Sequence, residues 1–302
     1  MLDQNLNEIQ SKEDELFKII AFFDLFNFPL TLMEIKKNYS FKDGLDDVLK
    51  KIEKLIAINK IEMKNGFYFL LGREEILQIG RKRYNYSLRK IRIAQKFARV
   101  FGLFPSVLTI YLVNSIGSYN LRDNSDIDFF IITKKNRIWL SRLFCAGLAK
   151  ILHKRPNKKT KRDKICLSFY LSEDNLDLSR LKLKDSDPYF DYWERNLLLL
   201  LNKKRGVHSR LIKINKLDKF YYKIKDEESK PRTSPRSLFA KLLDKLESLS
   251  KIFQLRIMPE KLLLAANLPQ EDRGVIIKDD IIKLYLRDKR LDIKKKYEQK
   301  IR

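Results

Sequence analysis

The chain has 302 residues, 44% of them hydrophobic, enough for two domains of roughly 100–200 residues each and too many for wholesale disorder. Lys and Arg number 64 against 39 Asp and Glu, a net charge of +25 that suits nucleic acid or nucleotides better than basic substrates, although a Lys-rich composition alone also produces such an excess. Two cysteines (Cys145, Cys166) cannot build a disulfide framework, and two histidines (His153, His208) argue against a Cys/His zinc site, so a metal centre would rest on carboxylates and take magnesium or manganese.

The first elements read as three helices and a hairpin. Leu16, Ile19, Ile20, Phe23 and Phe26 form a helical stripe within 13–26, and the turn 28–31 ends it. Thr31 with Glu34 makes a capping box for a short second helix. A third helix is expected over 45–58, followed by a hairpin over 61–70 around Asn65-Gly66. This order resembles a winged helix-turn-helix, a common nucleic-acid-binding module. The third helix mixes Lys50, Lys51 and Lys54 with Asp46, Asp47 and Glu53, which is no dedicated DNA-reading face.

Residues 74–102 read as an amphipathic connector, with Tyr84, Leu88, Ile91, Ala94, Phe97 and Phe101 inward and a basic solvated remainder that includes Arg89 and Lys90. Beyond Pro105 the periodicity changes to strand (107–113), polar turn, strand (126–133), helix (137–153) and strand (165–171). The helix should turn Ile138, Leu140, Leu143, Phe144, Leu148 and Leu152 inward. On the last strand Ile165, Leu167 and Phe169 should share one face, with Cys166, Ser168 and Tyr170 on the other. From 187 onward the pattern reads as mainly helical, with a linker over 225–237 and final helices over 236–256 and 276–301. The expected divisions are therefore 1–72, 73–104, 105–185 and 186–302.

The nine glycines contain neither G-x-G-x-x-G nor a P-loop. The N-terminus lacks a basic, apolar leader, and the longest apolar run, 197–201, is far below the ~20 residues a membrane span needs. A soluble cytoplasmic protein with no membrane partner is expected.

The sharpest chemical signal lies in 113–133, VNSIGSYNLRDNSDIDFFIIT. Asp126 and Asp128 are two apart at the start of an apolar strand, so both carboxylates leave one face. Like charges that close favour a divalent cation between them. A D-x-D pair alone is also an ordinary polar strand start.

In its setting, Ser125-Asp126-Ile127-Asp128 after a strand and polar turn resembles the nucleotidyltransferase domain of the DNA polymerase beta superfamily. The likeness covers 105–172, under a quarter of the chain. It implies an α+β fold: a small mixed β-sheet domain flanked by the N-terminal winged helix-turn-helix and a helical C-terminal region. It implies a magnesium-dependent (or manganese-dependent) transfer of a nucleoside monophosphate from NTP to an acceptor, with Asp126 and Asp128 as catalytic metal ligands. Asn114, Ser115, Gly117, Ser118 and Ser125 are the implied nucleotide-binding residues. Gly117-Ser118 matches the family's Gly-Ser pair in type. Asn114-Ser115 matches its spacing, with ten residues before Asp126, and is preferred because Asn also adopts positive φ. The family's third carboxylate has no counterpart within 165–171, where Ser168 stands; Asp163, Glu173 and Asp174 only bracket the strand. The alternative is a degenerate nucleotidyltransferase fold acting as a nucleic-acid-binding or regulatory module. RNA or DNA would then meet the basic surface, including the loop with Lys154, Arg155, Lys158, Lys159, Lys161 and Arg162.

Overall fold

The computed structural model describes residues 2–157, 159–203, 205–217, 238–268 and 274–301. The chain divides into two compact units, one formed by Met1–Asn85 with Arg290–Arg302 and the other by Tyr86–Lys289.

In the first unit, α1 (Leu2–Asp24) precedes β1 (Leu30–Thr31), α2 (Leu32–Asn38), α3 (Leu45–Ala57), β2 (Ile61–Lys64) and β3 (Phe67–Leu70). Thr31 Oγ1 accepts from the Glu34 amide at 3.3 Å, and Glu34 accepts from the Thr31 amide at 2.8 Å, which is the reciprocal box. Asn65 (φ 54°) and Gly66 (φ 79°) make the tight turn that joins β2 to β3. The three strands form an antiparallel sheet in the order β1-β3-β2. α10 (Arg290–Lys300) completes this unit, with Tyr297 edge-on to Phe22 and Lys300 Nζ 2.7 Å from the buried Asp24.

α4 (Ile76–Gly102) starts in the first unit and ends in the second. The second unit continues with β4 (Val107–Leu112), a 3-10 turn (Asn114–Ile116), β5 (Ile127–Thr133), α5 (Ile138–Ile151), β6 (Ile165–Ser172), α6 (Pro188–Arg195), β7 (Leu198–Asn202), α7 (Arg205–Ile214), α8 (Leu238–Ile257), α9 (Glu260–Ala266), β8 (Val275–Ile277) and β9 (Ile281–Leu284). Its mixed six-stranded sheet has the order β7-β4-β5-β6-β9-β8; β5 and β6 are parallel and every other neighbouring pair is antiparallel. One face packs on α4, α5, α8 and α9 through residues such as Phe101, Trp139, Cys145 and Met258. The other packs on α6 and α7 through Phe190, Trp193, Val207 and Leu211. The molecule is thus mixed α+β, as expected.

Among the described residues the stretch from 187 onward is mainly helical, as expected, with 198–202, 275–277 and 281–284 added as strands of the sheet. Four expectations need correction. The expected helix 276–301 is a hairpin followed by α10. The connector buries Ser87, Lys90, Ile91, Ala94, Ala98 and Phe101, while Tyr84 is 49% exposed and Lys90 is fully buried. In α5 the buried set is Ile138, Trp139, Ser141, Cys145 and Ala149, whereas Leu152 is exposed. The face rotates because Glu247 of α8 accepts from the Trp139 and Leu140 amides (2.8 and 2.9 Å), docking the helix N-terminus. In β6 a bulge sets Leu167 and Ser168 against Phe129, so Asp128 pairs with Cys166 but Phe130 pairs with Phe169. Phe169 therefore changes face, and Tyr170 joins Ile165 and Leu167 in the first core. The expected linker over 225–237 lies outside the described residues.

Candidate functional site

One edge of the second sheet gathers the end of β4, the starts of β5, β6 and β7, and the end of β9. Along β5, Ile127, Phe129 and Ile131 enter the core against α4 and α5. The alternating positions, Asp128, Phe130 and Ile132, face α6 and α7; the last two are sealed by apolar neighbours and only the first is polar. Asp126 precedes on the same side by the two-residue period.

One ligand atom each from Asp126, Asp128 and Cys166 lies within 4.8 Å of the others. Burial pushes the Asp128 carboxyl up to about 6, the Asp126 charge adds to the rise, and the Asn114 side chain and the Cys166 thiol against it oppose it. Burial also holds the Cys166 thiol well above its usual range, as do the two aspartates. Cys166 is therefore a neutral thiol without a cation, no activated nucleophile, and burial does the same to Cys145.

The polar turn comes to the same place. Asn114 sits at the end of β4 with φ 64°, the left-handed conformation anticipated for it. Its amide oxygen lies 3.4 Å from the Tyr189 hydroxyl of α6, and Ser115 O accepts from the Asn120 amide at 2.8 Å. Gly117 is right-handed (φ −62°), so its role is space and not conformational freedom. A Cβ there would stand 1.8 Å from the Asn196 carbonyl oxygen. Gly117→Ala is expected to displace the turn from the end of α6 and cost about 1–3 kcal/mol, the scale of an overpacking change, read by thermal denaturation. Ser118 is turned away, its hydroxyl bonded to the Tyr192 hydroxyl. Ser125 contributes its carbonyl to Lys90 Nζ at 2.7 Å.

Lys90 is the unexpected member. Its ammonium also reaches Asp123 O at 2.9 Å and the Asp163 carboxylate at 2.8 Å, and Arg89 bonds both aspartates. One buried cation thus ties the loop before β5 to the loop before β6, where Ile127 N donates to Lys164 O at 2.8 Å. Asp163 is accordingly committed to Lys90 and Arg89. Glu173 and Asp174 lie at the far end of β6, beside Arg210 and Lys135. Among the described residues no third carboxylate joins Asp126 and Asp128. Sequence reasoning missed Tyr285, which follows β9 and whose sealed hydroxyl neighbours Asp128, Cys166 and Ser168. The signal was present as two β-branched runs, 275–277 and 281–284, separated by a Lys-Asp-Asp turn.

The basic features are partly engaged. Lys51 pairs with Asp43 (2.9 Å) and Lys54 with Glu13 (3.0 Å), while Lys50 is exposed. In the loop before β6, Arg155 donates to Ile165 O and Arg162 pairs with Asp123, whereas exposed Lys161 contributes favourable charge toward Asp128. Lys158 lies outside the described residues. No described helix is long and apolar enough to cross a membrane.

No protein-family model, curated protein or solved structure matches the chain.

Proposed function

We propose that the chain is a divalent-cation-dependent nucleotidyltransferase of the DNA polymerase beta type, moving a nucleoside monophosphate from NTP to an acceptor. The observation that carries this reading is the meeting of Asp126, Asp128 and the Asn114-Ser115 turn at one sheet edge, with Asn114 touching Asp128 itself. Two carboxylates of one face, uncompensated by any ion pair among the described residues, offer oxygen ligands to a divalent cation. Magnesium or manganese held by Asp126 and Asp128 would neutralise the phosphates and polarise the bond that breaks.

The remaining roles belong to the chain. The half-buried Asn114–Ser118 turn offers the Ser115 hydroxyl, and backbone amides other than that of Gly117, to phosphate oxygens. Lys161 adds positive charge at the solvent side. Lys90 holds Ser125, and with it the backbone that leads into Asp126. We read α1–α3 with β1–β3 in the first unit as a winged helix-turn-helix-like module and the protein as cytoplasmic.

NTP binding measured by calorimetry with and without magnesium, followed by a screen for pyrophosphate release, tests the proposal. Binding is expected to need the cation and to be lost in Asp126→Ala and Asp128→Ala. Binding without metal, or unchanged binding in both variants, overturns the assignment. Ser115→Ala should weaken NTP binding more than Ser118→Ala, whose hydroxyl already serves Tyr192. The reverse order would move the phosphate turn three residues along.

A second reading has its own observation. Cys166 and Ser168 stand on β6 where the family's third acid is sought, which favours a catalytically degenerate module that binds nucleotide or nucleic acid without turnover. Cation-dependent NTP binding with no pyrophosphate release from any acceptor, and RNA or DNA affinity that falls steeply with salt, would select it.

A further inference from the structure

We infer that Cys166 is a third ligand of the Asp126–Asp128 site, which makes it a carboxylate–carboxylate–thiolate centre for a thiophilic divalent cation of the cobalt or zinc class in preference to magnesium. The inference rests on the proposed role of the aspartate pair and goes further by naming the metal class.

Three observations converge. First, parallel pairing sets Cys166 directly beside Asp128, and the donor atoms of all three residues fall within 4.8 Å of one another. Ligands ~2.2 Å (oxygen) and ~2.3 Å (sulfur) from a tetrahedral ion stand about 3.7 Å apart, so side-chain rotations that move the donors by about 1 Å close the site. Second, in a chain of net charge +25, neither aspartate forms an ion pair among the described residues, and the one cation that acts on Asp128, Lys161, does so from a distance. Third, the Tyr285 hydroxyl beside Asp128 and Cys166 is sealed from solvent and makes no well-formed hydrogen bond, although the Ser168 hydroxyl stands beside it, so water carried by a bound cation would complete its bonding.

The donor chemistry decides the metal. Magnesium takes oxygen ligands in near-octahedral array and disfavours sulfur, whereas cobalt and zinc accept a mixed oxygen and sulfur set. On binding, the S–H bond is exchanged for a sulfur–metal bond and the proton leaves to solvent. Ser168 Oγ, 3.4 Å from the sulfur, can then donate a hydrogen bond to the thiolate.

The test is titration of the reduced, metal-stripped full chain with cobalt(II), read by the ultraviolet thiolate-to-cobalt charge-transfer band, with magnesium as competitor. Cobalt should bind at least about 100-fold more tightly than magnesium, with the band saturating as the site fills. Cys166→Ser should abolish the band and weaken cobalt at least about tenfold while magnesium changes less than about threefold. Cys166→Asp should shift the preference back toward magnesium. If Cys166→Ser does not fold, a band in the parent that persists in Cys145→Ser still assigns the ligand. Cobalt binding that needs Asp128 but shows no thiolate band overturns Cys166 ligation while leaving the aspartate pair as a cation site. No binding of either metal overturns both.

Discussion

Lys90→Met is expected to lower the thermal midpoint by about 10 °C at pH 7. Removing one partner of a buried ion pair costs roughly 3–5 kcal/mol, and each kcal/mol shifts a domain of this size by about 2–4 °C. Methionine keeps the apolar stem but leaves Asp123 O and Ser125 O without their donor and Asp163 with Arg89 alone. The sign of the pH dependence follows from Asp163. Burial pushes its carboxyl up, but Lys90 and Arg89 outweigh this and hold it below the usual range. A depressed folded-state pKa contributes stability above the unfolded value, and that stability is lost as pH falls through the folded one. The gap between parent and variant should therefore be full above about pH 4 and narrow below it. A midpoint within about 2 °C of the parent at pH 7 would mean that Lys90 is not a tie between the two loops.

Asp128→Asn should do the opposite to stability while destroying cation binding. The parent carboxyl is pushed up to about 6 by burial and by Asp126, so the folded state resists its ionisation. A raised acid pKa makes stability fall as pH rises from the unfolded value near 4 through 6, and the whole penalty is present above that. Two pKa units correspond to about 3 kcal/mol, trimmed by solvent that reaches part of the residue and by the altered Asn114 contact. Without added metal, the variant should be about 1–2 kcal/mol more stable than the parent at pH 8 and equal to it near pH 4. A divalent cation should raise the parent's midpoint and leave the variant's unchanged. A variant that is less stable at pH 8 would show that the carboxylate has a compensating partner.

What could be read in advance depended on how local the cause was. The Thr31–Glu34 box and the Asn65-Gly66 turn need only their own few residues, and both formed as expected. The same holds for the side-by-side projection of Asp126 and Asp128 and the positive φ of Asn114. Lys90 was hidden because a lysine on a basic helix looks solvated until Asp163, 73 positions later, arrives beside it. Short apolar runs such as 197–201 fit a helix or a strand equally well until β4 offers them backbone partners. The bulge at Leu167 and Ser168 leaves no mark in the residues themselves, so the faces beyond it were misassigned. Cys166 carried the weakest signal, since only the parallel pairing of β5 with β6 turns a small core residue into a neighbour of Asp128.

The packing of α10 on α1 has a consequence for the order of events during synthesis. Asp24 is 4% exposed and meets two cations, Arg73 at 2.8 Å and Lys300 at 2.7 Å. Arg73 leaves the ribosome 49 residues after Asp24, but Lys300 follows only when the whole of Tyr86–Lys289 has been made. The first unit must therefore wait, with Phe22 uncovered on the side Tyr297 will occupy, while the second is translated and has time to fold on its own contacts. At roughly 5–20 residues per second the delay is about 10–40 seconds, ample for a sheet domain but long for an exposed aromatic face. Refolding from denaturant has no such sequence imposed on it, because α10 is present from the start. A nascent chain stalled before 290 should accordingly be cut by protease within the first unit and resist cutting within the second.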